Sequence, residues 1–234
     1  MSDTVRLISI VILFGLAFFC LQVGVFLISG HKLRNNSRRT LVLIEIITAL
    51  LLVFDALAYI FRGSTTQIGH YMVRISNFMV FTLNYAATFF FCFYSAEFIK
   101  SDILDFKILA SPRKAVKNQI PVHLFVVFYI CLAGIILTVI SQFTNLFYYF
   151  DEGNFYHRSA LYPLSVVLGL SPGLITVVML FQYKKVLQKN IFVSLFLYSI
   201  FPSAGIVLAL FVYGISWIDI GYGIAALHLF YSSI

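Results

Sequence analysis

Seven long apolar runs divide the chain, with short polar stretches between them. They cover about residues 5–29, 40–61, 71–99, 122–143, 161–183, 191–213 and 217–234. A helix rises 1.5 Å per residue, so about 20 apolar residues cross the roughly 30 Å hydrocarbon core of a bilayer. The pattern predicts an all-α polytopic membrane protein with seven transmembrane helices. The first run is too long for a signal-peptide core and shows no A-x-A cleavage site, so it is expected as an uncleaved helix. The third is long enough to tilt or to project beyond the bilayer. The turn Gly214-Ile215-Ser216 is nearly apolar and marks the least distinct boundary.

The polar stretches set the orientation, because basic residues collect in cytoplasmic loops. The first loop holds Lys32, Arg34, Arg38 and Arg39. The third holds Lys100, Lys107, Arg113, Lys114 and Lys117, and the fifth Lys184, Lys185 and Lys189. The other side has only Arg6, Arg62, Arg74 and Arg158. The N-terminus is therefore expected outside and the C-terminus in the cytoplasm, as an odd number of spans requires. Tyr148, Tyr149, Tyr156 and Tyr162 cluster where an interfacial aromatic belt belongs.

Composition then narrows the classes of function. The chain is 61% hydrophobic and 11% charged, against about half and about a quarter in soluble domains. A water-soluble globule, a disordered chain and a disulfide-stapled module are excluded. Seven spans use almost all of 1–234, so a single membrane module with no soluble domain is expected. The net charge of +7 records loop topology, not nucleic-acid binding, and the lipid bilayer is the expected partner. Cys20, Cys92 and Cys131 sit inside apolar runs and read as small buried hydrophobes. No Gly-rich phosphate loop, H-E-x-x-H motif, nucleophile elbow or paired-carboxylate arrangement is present. Neither catalysis by the chain alone, nor a cofactor, nor a metal site is expected.

Charges within a span are expensive and mark candidate sites. Asp55 in the second run and Arg74 in the third both lie about 6–11 Å below the outer surface at helical rise. They are expected to meet, either as a structural ion pair or as the floor of an outward-facing pocket for a small ligand. Asn77 and Asn84 share a helix face with each other, as interhelical hydrogen-bonding groups or as pocket lining. Glu45, about one turn from the basic loop, is expected to snorkel toward Arg38, Arg39 or water. Asp151, Glu152, His157 and Arg158 read as a solvated polar turn in an extracytoplasmic loop. Pro172-Gly173 and Pro202 with Gly205 interrupt the helical ladder and are candidate hinges or static kinks.

The segment Asp55-Ala56-Leu57-Ala58-Tyr59-Ile60-Phe61-Arg62-Gly63 resembles the end of the second helix in a bacterial sensory membrane module. Asn77-Phe78 and Leu83-Asn84-Tyr85 resemble the same module. So do the loop Tyr149–Arg158 running into Leu161-Tyr162-Pro163-Leu164-Ser165, and the element from Pro202 through Phe211-Val212-Tyr213-Gly214-Ile215-Ser216. The family is the seven-transmembrane sensor region of bacterial, mostly clostridial, GGDEF diguanylate cyclases, related to regions that precede histidine kinases. The resemblance implies a sensor in the bacterial plasma membrane that relays an extracytoplasmic or membrane signal. It implies a C-terminal cytoplasmic output domain, of which this chain shows no signature; a homodimer is a possible assembly. It supplies no ligand-binding residues. The competing expectation is a small transporter or channel.

Overall fold

The computed structural model describes residues 3–29, 35–99, 120–211 and 215–233. Among them each apolar run forms one helix. These are α1 (Asp3–Ser29), α2 (Asn35–Phe61), α3 (Gln67–Ile99), α4 (Val122–Thr144), α5 (Tyr162–Gln182), α6 (Lys189–Phe211) and α7 (Trp217–Ser233). Helices α1 to α6 are long and apolar enough to cross a membrane, while α7 has 17 residues. The first and third basic loops, at residues 30–34 and 100–119, and the turn at 212–214 lie largely or wholly outside the described residues.

In lipid a segment must satisfy its backbone groups internally, and a helix does so. What then matters is which face meets protein. On α1, Leu7, Val11, Phe14, Phe18, Leu21, Val25 and Ile28 are all exposed, at alternating steps of three and four. The opposite stripe, Ser9, Leu13, Ala17, Cys20, Gly24 and Leu27, is buried. The same division marks α4, whose buried face is Leu124, Val127, Cys131, Gly134, Thr138 and Ser141. On both helices large apolar side chains point outward, while small or weakly polar ones join leucines and a valine inside. This inverts the pattern of a soluble bundle and fits a helical membrane protein, in which small residues let helices approach closely.

The helices close into a ring in chain order, α7 returning against α1, with further contacts between α2 and α7 and between α3 and α5. Helix α3 is the most enclosed of the six long helices. The tightest seam joins α6 and α7. A methyl group on Gly205 would overlap the Trp217 carbonyl, and one on Gly221 would come within 2.7 Å of the Phe201 carbonyl oxygen. The two backbones touch at both points. Pro172 and Pro202 each lie inside a continuous helix. Beside each proline a hydroxyl bonds a helix carbonyl: Thr176 donates to the Pro172 carbonyl and Ser203 to the Ser199 carbonyl, both at 2.8 Å.

Two corrections concern local structure. The polar loop is not a plain turn but an antiparallel hairpin, β1 (Tyr148–Phe150) and β2 (Tyr156–Arg158), with Tyr148 opposite Arg158. Glu45 does not snorkel. It is fully buried beside Cys20 of α1. Helix α2 begins at Asn35, so Glu45 lies nearly three turns inside it and out of reach of the surface.

Candidate functional site

One end of the bundle is built by the α2–α3 turn, the hairpin and the starts of α5 and α7. Asn154 fastens these parts together. It adopts a left-handed φ of 65°. Its Oδ1 accepts from Arg74 Nη1 at 2.7 Å, and its Nδ2 donates to the Ser64 carbonyl at 2.8 Å. Its own carbonyl accepts from the Gly63 amide at 3.2 Å. Arg6 of α1 caps the adjoining end of α2, donating to the Tyr59 and Ile60 carbonyls at 2.8 and 2.6 Å. A cation suits a helix C-terminus, where carbonyls are left without amide partners.

Beneath this cover lies a cavity of about 540 Å³ between α2, α3, α5, α6 and α7. Its volume falls in the usual range for small-molecule sites, about 300–1,000 Å³. Asp55, Asn84 and Asp219 form a polar cluster on its wall, with Thr88 and Tyr222 below. Asn84 Nδ2 donates to Asp219 Oδ1 at 3.2 Å. The Asp55 carboxyl meets the Asp219 carboxyl and the Ser216 hydroxyl, and Ser216 lies 3.2 Å from the Tyr59 hydroxyl. The Thr88 and Tyr222 hydroxyls are 2.6 Å apart. Asp55 and Asp219 are only 7% and 5% exposed. Arg62, His157 and Arg158 stand at the hairpin edge of the cavity, among the aromatic rings of Tyr156, Tyr162 and Trp217. The Arg158 guanidinium lies 4.5 Å from the Tyr162 ring centroid.

The expected residues divide cleanly. Asp55, Asn77 and Asn84 line the cavity together with His157 and Arg158. Arg74 does not. It makes no ion pair with Asp55, and instead bonds Asn154 and lies 4.9 Å from the Phe150 ring centroid. Asn77 bonds the Val73 carbonyl of its own helix. Asp151 and Glu152 stay exposed at the hairpin tip. Pro202 and Gly173 border a small void of about 30 Å³ that shares Thr88, Gly169, Ile206 and Tyr222 with the main cavity. Asp219 was missed, although it too is a charge within an apolar run and the rule that selected Asp55 selects it.

The hairpin tip carries a pH-dependent contact. Asp151 Oδ2 accepts from His157 Nε2 at 2.8 Å, and its Oδ1 accepts from the Phe155 amide at 2.9 Å. The His157 contact first, and then the amide, hold the Asp151 carboxyl below its usual range. A depressed folded value means the contact contributes above the ordinary aspartate value, about 3.9, and is lost as pH falls through the folded value. Exchange protection of the Phe155 amide is therefore expected to decline from about pH 4 downward, and Asp151→Asn to remove that dependence. A protection factor flat with pH in the parent would contradict this.

No protein-family model, no curated protein and no solved structure matches the chain, so the chemistry of this end of the bundle rests on its own residues.

Proposed function

We propose that the protein is a membrane-embedded sensor of seven spans, in which a small molecule entering the hairpin end biases the position of α7. The observation that carries this reading is that the cavity's polar wall is shared by α7. Asp219, Trp217 and Tyr222 line it, and α7 is seated backbone to backbone on α6. An occupant touching Asp219 or Trp217 acts directly on the last helix of the chain. The count of basic residues by loop puts the hairpin outside and the far end of α7 in the cytoplasm. In the seven-transmembrane sensor regions that the sequence resembles, that end leads to a diguanylate cyclase or kinase. Pro202 borders the void beneath the cavity and is the candidate bending point. A shift of a two-state element by a few kcal/mol is enough for such a relay.

The experiment joins a cytoplasmic cyclase domain after Ile234 and compares the parent with Gly169→Trp and Pro202→Ala. Gly169 lines the cavity, with open space where a side chain would go, so tryptophan there fills the site without displacing backbone. Output is expected to lock at one level, changed about tenfold or more, in Gly169→Trp, and to lose part of its range in Pro202→Ala. Reporters should place the N-terminus outside and the C-terminus inside. Output indifferent to a filled cavity, or both ends on one side, removes the sensor reading.

One observation favours a transporter as the second reading. Below Tyr222 the polar groups continue through Tyr198 and Thr48 to Glu45 and Cys20. Uptake of a solute by vesicles holding the protein, driven by a proton gradient, would support it over the sensor.

A further inference from the structure

Resting on the reading of this cavity as the ligand site, we propose that its occupant is a small zwitterion. Its ammonium group sits against Asp55 and Asp219, and its anionic group lies toward Arg62.

Two carboxyl groups share one nearly dry site. Asn84 reaches Asp219, Ser216 reaches Asp55, and the two carboxyls meet each other. Asp55 Oδ2 is itself buried and has no hydrogen-bond partner, in a residue that borders the cavity. Among the described residues no Lys or Arg forms an ion pair with either acid. The cation expected to do so, Arg74, is held by Asn154 and Phe150 on the hairpin side. Two touching buried carboxyls share a proton unless a cation joins them, and a primary ammonium supplies that cation with three donors. Tyr59, Trp217 and Tyr222 line the same cavity, and aromatic rings attract cations at their faces.

The opposite edge has the opposite sign. Arg62 and Arg158 line the same cavity. Arg62 follows Asp55 by seven residues, about 10 Å along the helix. A guanidinium recognises carboxylate or phosphate by paired donors. A simple cation would not engage Arg62, and a simple anion would face the two acids. A molecule with an ammonium and an acidic group some 5–10 Å apart satisfies both ends, as in ω-amino acids and short peptides. The ammonium and phosphate of an ethanolamine headgroup share this chemistry.

The test uses the full chain in phosphatidylglycerol nanodiscs, titrated with ω-amino acids from glycine to 8-aminooctanoate, and with matched alkylamines and alkanoates. Binding is read as a shift in the unfolding midpoint and as calorimetric affinity. Zwitterions of intermediate length are expected to bind at least about tenfold tighter than either matched series, since a lost charged hydrogen bond costs about that factor or more. Asp55→Asn or Asp219→Asn should weaken zwitterion and amine alike, while Arg62→Gln should weaken the zwitterion alone. Discs containing phosphatidylethanolamine distinguish the sources. If the headgroup is the occupant, added zwitterion no longer shifts the midpoint; if the ligand is free in solution, it still does. No binding by any zwitterion in phosphatidylglycerol discs, or alkanoates binding as tightly as zwitterions, overturns the proposal. The cyclase comparison with Gly169→Trp needs no ligand, so it judges the sensor reading separately.

Discussion

Gly221→Leu is expected to abolish the accumulation of folded protein. Any side chain at this position starts with a Cβ 2.7 Å from the Phe201 carbonyl oxygen and 3.0 Å from Pro202 Cα. Both obstacles are backbone, which cannot rotate away as a side chain would. Nor can α6 withdraw as a rigid body, because Gly205 meets the Trp217 and Ile218 backbone on the same seam. Overpacking a core costs about 1–3 kcal/mol when side chains can adjust, and more when they cannot. Against a total stability of about 5–15 kcal/mol that loss is large. Gly173→Ala is the comparison, since the space around Gly173 is open, and the parental unfolding midpoint is expected. Monodisperse yield and midpoint in detergent measure both. A Gly221→Leu protein with the parental midpoint would show that α6 and α7 are not packed as described.

Asn154→Ala is expected to undock the hairpin while the bundle stays folded. It removes an acceptor from Arg74 and a donor to the Ser64 carbonyl, at 2.7 and 2.8 Å. It also places alanine at a φ of 65°, which asparagine tolerates better than residues without a local hydrogen-bonding side chain. A hydrogen bond to a charged group is worth about 1.5–3 kcal/mol, so a total near 3 kcal/mol is the expected scale. Asn154→Asp keeps the acceptor for Arg74 and loses the donor to Ser64, and should fall between the two. The readout is hydrogen exchange at the Gly63 and Asp151 amides, which bond Asn154 and Phe155 carbonyls across the hairpin region. Unchanged exchange at both amides in Asn154→Ala would show that the hairpin is held by other contacts.

The helices were legible because lipid leaves few alternatives to them. Residues 40–61 read as a span on apolarity alone, and α2 contains that range. Its start was less legible. Polar Asn35 through Arg39 looked like loop but belong to the helix, and that error put Glu45 near the surface. The hairpin had a readable signal, two aromatic stretches flanking Asp-Glu-Gly-Asn, which is a short glycine-containing connection between strands. The Asp55–Arg74 expectation used depth and adjacency, but those do not fix rotation about a helix axis. Arg74 turns to a partner eighty positions away in sequence, which no local spacing reveals. Asp55, Asn77 and Asn84 were found by a rule about cost, and the same cost identifies Asp219 once the helix boundary is known.

The seam between α6 and α7 bears on biosynthesis. About 20 apolar residues cross the hydrocarbon core, and α7 has only 17, with Asp219 in its first turn. Alone, it is a poor substrate for partitioning out of the translocon. Its glycine seat is made on α6, the helix synthesised immediately before it, so the two are suited to leave the channel as a pre-assembled hairpin. Until that moment Asp55 and Asn84 border an incomplete wall. A nascent chain arrested before residue 217 leaves that polar gap open. Arrival of α7 closes it.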